Sequence, residues 1–185
     1  MRKNYKKVKD SEVIFSELML PSKANFNGKI HGGYILSLLD QIAFACASKH
    51  SENYCVTASV DTVDFLQPIE IGELVTLKAS VNYVGKSSMV IGIRVDAENI
   101  QNGKKKHCNS SYFTMVAKSK TNQSVEVPGL ILTSKTELRR FVRALTRKEL
   151  KSRYKQEFNH MFDSKNYSAA EFQEKLKNHR VELQL

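Results

Sequence analysis

The sequence predicts an α+β fold in which a long antiparallel sheet wraps around one central helix, with a C-terminal helical extension. Three observations predict it: one helical segment is apolar on nearly every side, four segments with strand-like alternation follow it, and the pattern beyond residue 130 is charged and helical. Such a unit needs about 120 residues, so the chain of 185 residues holds one copy. We therefore predict one domain at 10–130 and a basic helical extension at 131–185.

The elements follow from local patterns. A first strand is predicted over 13–20, and the Pro, Asn and Gly content of 21–28 indicates a loop. The central helix runs from 30 to about 49, and its apolar residues predict burial on most faces. Four further strands are predicted at 56–66, 74–84, 88–97 and 106–117. The dipeptide Asn102-Gly103 between the last two is typical of a tight hairpin.

Charge is unevenly distributed along the chain. Lysine and arginine outnumber aspartate and glutamate by 29 to 19, a net charge of +10, and residues from 133 onward hold 13 of the basic and 7 of the acidic side chains. Such an excess favours an anionic partner, which composition leaves open as nucleic acid, acidic lipid or a phosphate-rich small molecule. Within this tail, Ser168 and Glu171 have the spacing of a capping box at the start of a last short helix.

Cysteine usage and hydropathy indicate the compartment. The chain has three cysteines, Cys46, Cys55 and Cys108, an odd number, and their spacing is not that of a metal site. No apolar run approaches the roughly 20 residues that span a bilayer, and no apolar segment follows the basic N-terminus as it does in a secretory signal. We therefore expect a reduced cytoplasmic protein without a metal and without stable membrane insertion.

The densest group of chemically interesting residues lies where the loop becomes the central helix. Gly32 and Gly33 lack Cβ atoms, and the unpaired N–H groups of a helix start can bind a polarised carbonyl oxygen. Asp40 lies two turns further along the same face and can act as a nucleophile or as a general base on water. Asn25 precedes them and can orient a water molecule. A tight entry turn and a hydrogen-bonded structural aspartate are the alternative interpretation.

Several motifs, in the same order along the chain, carry a resemblance to a known family. The pattern His31-Gly32-Gly33-x-x-Leu-x-x-x-Asp40 resembles the hotdog-fold acyl-CoA thioesterases, in particular the brain-type cytosolic acyl-CoA hydrolases and their short bacterial relatives. Further matching segments are Val56-Thr57-Ala58-Ser59-Val60-Asp61, Phe65, Gly72, Lys86-Ser87-Ser88-Met89, Tyr112-Phe113-Thr114, Val127-Pro128 and Glu137-Leu138-Arg139-Arg140-Phe141. The resemblance covers roughly residues 10–145.

The resemblance implies both an activity and an assembly. It implies hydrolysis of acyl-CoA to a fatty acid and CoA, with Asn25 and Asp40 meeting from opposite subunits at a dimer interface. It places Gly33, with Gly32 beside it, at the thioester carbonyl. It also implies a homodimer that can assemble as a trimer of dimers, and no cofactor, since coenzyme A is part of the substrate and product. Whether Asp40 attacks directly or activates water stays open.

Binding of CoA would use positive charge, because its phosphates are recognised by Lys and Arg. The candidate substrate-binding residues are His31 beside the glycines, the turn Gly85, Lys86, Ser87 and Ser88, and Arg139 and Arg140. A non-catalytic acyl-CoA sensor on the same fold and a nucleic-acid-binding protein are the competing hypotheses. No nucleic-acid motif is present, so we expect no nucleic-acid partner. The acyl-chain length, nucleotide regulation and the role of residues 146–185 are not predicted.

Overall fold

The computed structural model describes residues 4–161, 168–177 and 179–181. The chain divides into two compact units after Ala144. The first contains a sheet and a central helix, and the second contains the end of one long helix and a short helix after it. The domain boundary that we predict after residue 130 stays a prediction.

The elements can be given in chain order. They are β1 (Tyr5–Lys7), α1 (Val8–Ser11), β2 (Val13–Leu18), α2 (Gly32–Ser51), β3 (Tyr54–Val60), β4 (Glu73–Val84), β5 (Ser88–Asn99), β6 (Lys105–Lys118), β7 (Gly129–Ile131), α3 (Lys135–Met161) and α4 (Ala169–Leu176). A short 3-10 helix, Pro21–Lys23, lies between β2 and α2. No helix among the described residues is both long and apolar enough to cross a bilayer.

Five strands form one antiparallel sheet in the order β2-β4-β5-β6-β3, and α2 packs on one face of it. On β4, Val75, Leu77, Ala79 and Val81 belong to the same buried core as α2. Burial of each valine or leucine side chain among them stabilises the fold by roughly 1.5–3 kcal/mol. Because strand side chains alternate between faces, Lys78 lies on the opposite side. We call the α2 side the inner face and the Lys78 side the outer face. The predicted fold class is confirmed.

One predicted strand is markedly shorter in the structure, and the central helix is less buried than predicted. The strand predicted over 56–66 ends at Val60, because beyond it the Asn109 side chain donates to the Asp64 carbonyl at 2.8 Å. A side chain thus replaces part of the backbone ladder, which alternation alone does not show. On α2, burial on most faces is wrong for a single chain, since Leu36 and Phe44 are 38% and 39% exposed.

A buried histidine joins three segments that lie far apart in the sequence. His50, near the end of α2, is within 3.0 Å of the Ser11 hydroxyl through Nδ1 and 3.0 Å of the Pro128 carbonyl through Nε2. A neutral ring satisfies both when Nε2 donates and Nδ1 accepts. We call these three residues the His50 bridge. They stand beside the parallel pair β1–β7, which the sequence did not predict.

The described residues of the second unit include the end of α3 and all of α4. Its part of α3 is largely exposed, and the rings of Tyr154 and Phe158 stack one turn apart at 5.8 Å between centroids. Ser168 precedes α4, where its hydroxyl accepts the Glu171 N–H and its own N–H donates to the Glu171 carboxylate. This arrangement confirms the predicted capping box.

Candidate active site

Asp40 lies midway along α2 with its side chain exposed. Its Oδ1 accepts a hydrogen bond of 2.6 Å from Thr57 Oγ1 on β3, the edge strand of the sheet. A carboxylate that accepts one such bond is held in one orientation and keeps its second oxygen for a proton or a water molecule. The geometry therefore suits a general base.

Thr57 is a site residue that the sequence analysis did not select. Its segment carries part of the family resemblance, but a threonine in a strand is ordinary on propensity alone. Its contact with Asp40 joins residues 17 positions apart on different elements. Since helix and strand periodicities each describe one element only, no such pattern predicts the pair.

Of the two glycine N–H groups at the start of α2, one is hydrogen-bonded within the chain and the other is not. His31 is the N-cap residue, and its ring Nδ1 accepts the Gly33 N–H at 3.0 Å. A Cβ atom on Gly33 would lie 3.0 Å from that nitrogen, so the glycine lets the ring fold over the helix start. No described residue accepts the Gly32 N–H. The structure thus leaves the Gly32 amide for a ligand oxygen, whereas the Gly33 amide becomes available only when the His31 ring turns away.

Asn25 lies in a tight loop before α2. Its side-chain oxygen accepts the N–H groups of Asn27 at 2.9 Å and Lys29 at 3.1 Å, and Gly28 turns the chain with φ +71°. These bonds use the oxygen and leave the amide N–H groups for another partner. Among the described residues no hydrogen bond joins Asn25 to Asp40 within one chain. Phe26, beside it, is fully exposed.

An aromatic ring borders the start of α2 from the other side. A Cβ atom on Gly32 would lie 3.4 Å from the Phe65 ring. Phe65 follows Asp64, whose carbonyl is held by Asn109, and the Ser111 hydroxyl donates to the Asn109 side-chain oxygen. Both polar residues are fully buried. This buried pair fixes the segment that places an apolar ring beside the Gly32 amide.

Apolar side chains flank Asp40 along the helix. Leu36 and Phe44 lie one turn before and one turn after it, on the same exposed face. The Phe44 ring packs edge-on against Tyr54 at 5.7 Å between centroids. The carboxylate therefore lies between apolar side chains on the exposed side of the helix. We call Leu36, Asp40, Phe44 and Tyr54 the Asp40 face.

The predicted basic turn connects β4 to β5, and its backbone holds the fold together. The Gly85 N–H donates to the Ser88 carbonyl at 2.7 Å, and the carbonyls of Lys86 and Ser87 accept from residues 127 and 117 at 3.0 and 2.9 Å. The Lys86 side chain is exposed. These bonds use the carbonyls, so the turn keeps a basic side chain and hydroxyl groups for a phosphate.

The predicted arginines lie elsewhere. Arg139 and Arg140, in the first turns of α3, line a cavity of about 310 Å³ on the outer face of the sheet. Gly85 lines a different cavity, of about 450 Å³, near the end of β4. The structure therefore does not bring the turn and the arginines into one cavity.

Two other candidate chemistries find no support in the geometry. Burial raises the pKa of Cys46 to about 12, so its thiol is not a nucleophile at neutral pH. Both ring nitrogens of His50, one turn away, are already hydrogen-bonded in the His50 bridge. Among the described residues, no three His, Cys, Asp or Glu side chains are close enough to hold a metal ion.

Comparison with known proteins identifies the class. Residues 27–104 match the family model described as the thioesterase superfamily. Protein VdlD of Helicobacter pylori is 41% identical over 143 residues, which are 77% of this chain and 82% of that protein. The acyl-CoA thioester hydrolase YkhA of Bacillus subtilis, itself uncharacterised, is 33% identical over 70% of this chain and 76% of its own length. The chain belongs to the thioesterase superfamily, and the resemblance given above is confirmed.

Solved structures agree with this assignment. An apo-hexameric acyl-CoA thioesterase is similar with a TM-score of 0.79 and 33% identity, covering 81% of this chain and 96% of that one. An acyl-CoA hydrolase from Staphylococcus aureus, in complex with butyryl-CoA and CoA, has a TM-score of 0.78 and 29% identity over 86% and 97%. Structures of three alanine variants of the same hydrolase also exist, which replace an asparagine, an aspartate and a threonine. In that protein the aspartate lies 15 residues after the asparagine, and the threonine lies 17 residues after the aspartate.

Proposed function

We propose that this protein is an acyl-CoA thioesterase that hydrolyses acyl-CoA to a free fatty acid and CoA. The observation that carries the proposal is the exposed Asp40 carboxylate, which accepts a hydrogen bond from Thr57 at 2.6 Å and lies between the apolar side chains of Leu36 and Phe44. The names of several relatives support the substrate class, since they are acyl-CoA hydrolases or thioesterases and one of them is in complex with butyryl-CoA.

The proposed chemistry uses only water and side chains of the protein. Asp40 takes a proton from a water molecule, whose oxygen forms a bond to the thioester carbonyl carbon. The negative charge that develops on the carbonyl oxygen is stabilised by the Gly32 N–H, joined by the Gly33 N–H once His31 turns away. The carbon–sulfur bond then breaks, and the CoA thiolate takes up the proton. No cofactor is needed.

The three residues of the site have a matching pattern in a relative. Asn25, Asp40 and Thr57 are 15 and 17 residues apart. The alanine variants of the Staphylococcus aureus hydrolase replace an asparagine, an aspartate and a threonine with the same two spacings. This agreement supports giving Asn25 and Thr57 a place beside Asp40 in the proposed site.

We propose that two copies of the chain complete the site. Asn25 uses its side-chain oxygen locally, and its amide N–H groups have no partner among the described residues, which suits a substrate or water bound at the Asp40 of a second subunit. The exposed apolar residues of the Asp40 face support burial by a second copy. The hexameric relative supports assembly as a trimer of such dimers.

The same proposal includes the groups that hold CoA. Cationic and hydroxyl groups for the phosphates come from the turn Gly85, Lys86, Ser87 and Ser88 and from Arg139 and Arg140. His31 lies at the site entrance. The three cysteines, all free thiols, fit the reducing cytoplasm in which such an enzyme would work.

The test is the Asp40→Asn variant, assayed by thiol release from a series of acyl-CoA chain lengths. The amide keeps the shape and the bond from Thr57 but cannot take a proton, so we expect at least about a 100-fold lower kcat. The matched control is Asp64→Asn, an exposed aspartate whose own contact is made by its backbone, with activity near that of the parent.

Two outcomes contradict the proposal. Near-parental hydrolysis by Asp40→Asn would remove the general base from the mechanism. If the unmodified protein binds long-chain acyl-CoA but releases no thiol at any chain length, the non-catalytic sensor is the better interpretation.

A further inference from the structure

The outer face of the sheet contains a cavity that is separate from the candidate catalytic residues and includes two of the arginines assigned above to CoA phosphates. It measures about 310 Å³ and lies between β4, β5 and β6 and the first turns of α3. Lys78 and Arg94 pair across β4 and β5, and alternation places them opposite the core residues that pack on α2. Asp40 is on α2, so the sheet lies between Asp40 and this cavity.

The cavity has an excess of positive charge. Five cationic side chains line it, Lys78, Arg94, Arg139, Arg140 and Arg143, against one carboxylate, that of Glu12. Arg94 and Lys78 share Asp96, at 2.8 and 3.4 Å. The three arginines of α3 have no ion-pair partner in the part of the chain that the structure describes. Three guanidinium groups therefore line the cavity without an ion-pair partner among the described residues, and Glu12 is the one carboxylate in its lining.

A neighbouring cavity on the same face provides the contrast. It is lined by Lys105 and Lys106, but Glu98 lies 3.1 Å from the Lys105 ammonium and Glu73 lies 2.9 Å from that of Lys106. Each lysine there already has its carboxylate. Unpaired cationic charge is therefore concentrated at the arginine cavity rather than spread over the outer face.

Neutral polar groups line the same cavity beneath the arginines. Ser80 and Asn82 are buried, at 7% and 6% exposure, and the Ser80 hydroxyl donates to the Asn82 side-chain oxygen at 3.0 Å. The bond engages the oxygen of Asn82 and leaves its N–H groups as donors. Gly92 makes room for this amide, since a Cβ atom there would lie 2.0 Å from Asn82 Nδ2. The cavity thus combines amide donors with guanidinium groups.

We propose that this arginine cavity binds a phosphate-bearing anion. Guanidinium groups bind phosphate oxygens with two parallel hydrogen bonds, and a buried amide adds donors without charge. The phosphates can belong to the nucleotide end of CoA or to a free anion. Only the first of these sources rests on the proposed function, because the anion site itself does not depend on thioester hydrolysis.

The binding test uses the whole chain, with inorganic pyrophosphate and 3′-phospho-ADP as probes in titration calorimetry. We expect both to bind, with an affinity that falls as ionic strength rises. The double variant Arg139→Gln/Arg143→Gln should raise the dissociation constant at least ten-fold. Arg153→Gln/Lys155→Gln removes the same two positive charges from the same helix outside the cavity and should bind like the parent. Circular dichroism checks that each variant is folded.

A kinetic arm separates the two sources. If pyrophosphate raises the KM for acyl-CoA, leaves kcat unchanged and loses this effect in Arg139→Gln/Arg143→Gln, the cavity holds the nucleotide of CoA. If pyrophosphate binds without raising that KM, the ligand is a free anion. The proposal is overturned if neither probe binds at millimolar concentration, or if the double variant binds as tightly as the parent. An Asp40→Asn protein that kept full hydrolysis would refute the proposed function and leave the anion site standing.

Discussion

The bond between Thr57 and Asp40 is the contact on which the orientation of the carboxylate depends. Thr57→Val removes the hydroxyl and keeps the shape of the side chain, so the carboxylate loses its one oriented partner. We expect kcat to fall about ten-fold, the effect of roughly 1.4 kcal/mol on the barrier. Steady-state hydrolysis of one acyl-CoA measures it.

Thr57→Ser is the matched control for that prediction, because it keeps the hydroxyl. Its kcat should stay within about two-fold of the parent. Equal losses in both variants would show that the methyl group, and therefore packing, matters rather than the hydrogen bond.

Gly92 lies where the neighbouring Asn82 side chain leaves no room for a Cβ atom. Gly92→Ala would bring a methyl group within 2.0 Å of Asn82 Nδ2, so the amide must leave its place beside Ser80. We expect the free energy of unfolding to fall by about 1–3 kcal/mol, as overpacking usually costs. Chemical denaturation measures it.

The double variant Gly92→Ala/Asn82→Ala provides the control for this clash. It removes the group that the new methyl meets, so its stability should exceed the value expected from adding the two single effects. Strictly additive losses would contradict the clash and indicate a backbone effect of the glycine.

At the scale of elements, the His50 bridge joins the end of α2 to α1 and to the segment before β7. Burial lowers the pKa of His50 below its ordinary 6.5; the Lys6 charge acts in the same direction, and the bond to Pro128 and the Asp10 charge oppose it. In the unfolded chain the ring takes a proton below about pH 6.5, while in the fold it stays neutral to lower pH. The unfolded state therefore binds more protons, and stability falls as the pH drops below about 6.5.

His50→Gln tests this linkage. Glutamine does not titrate, so the part of the pH dependence that comes from His50 should be absent between pH 7 and 5, although the variant is less stable at neutral pH. Denaturation curves across that range measure both effects. Parallel pH profiles for the parent and the variant would contradict the assignment.

At the scale of the whole molecule, we expect the chain to be active only as an oligomer, because the Asp40 face leaves apolar side chains in solvent. Phe44→Lys would place a charge on that face. We expect light scattering to show a smaller assembly, with hydrolysis lost in parallel. Ile100→Lys, at an exposed apolar residue in the turn after β5, should change neither. A monomeric parent with full activity would refute the interface site.

The central helix and the four strands after it could be predicted from the sequence because each depends on the period of its own residues. Three of these strands and the helix end within two residues of the predicted bounds. The strand predicted over 56–66 ends six residues early, at Val60, because the Asn109 side chain of another strand replaces part of the backbone hydrogen bonding beyond it. The β1–β7 pair was not predicted because its two strands lie more than a hundred residues apart, and local patterns do not show which distant segments pair.

By itself, the sequence determined the fold class, the family and the residues Asn25, Gly32, Gly33 and Asp40 as the candidate site, because local periodicity and ordered motifs are properties of the chain itself. Only the tertiary structure decided that Thr57 holds Asp40, that His31 covers one glycine amide, and that arginines meet on the outer face. The first and last of these depend on how distant segments pack together, which no single segment encodes, and the second depends on the side-chain conformation of His31, which periodicity does not specify.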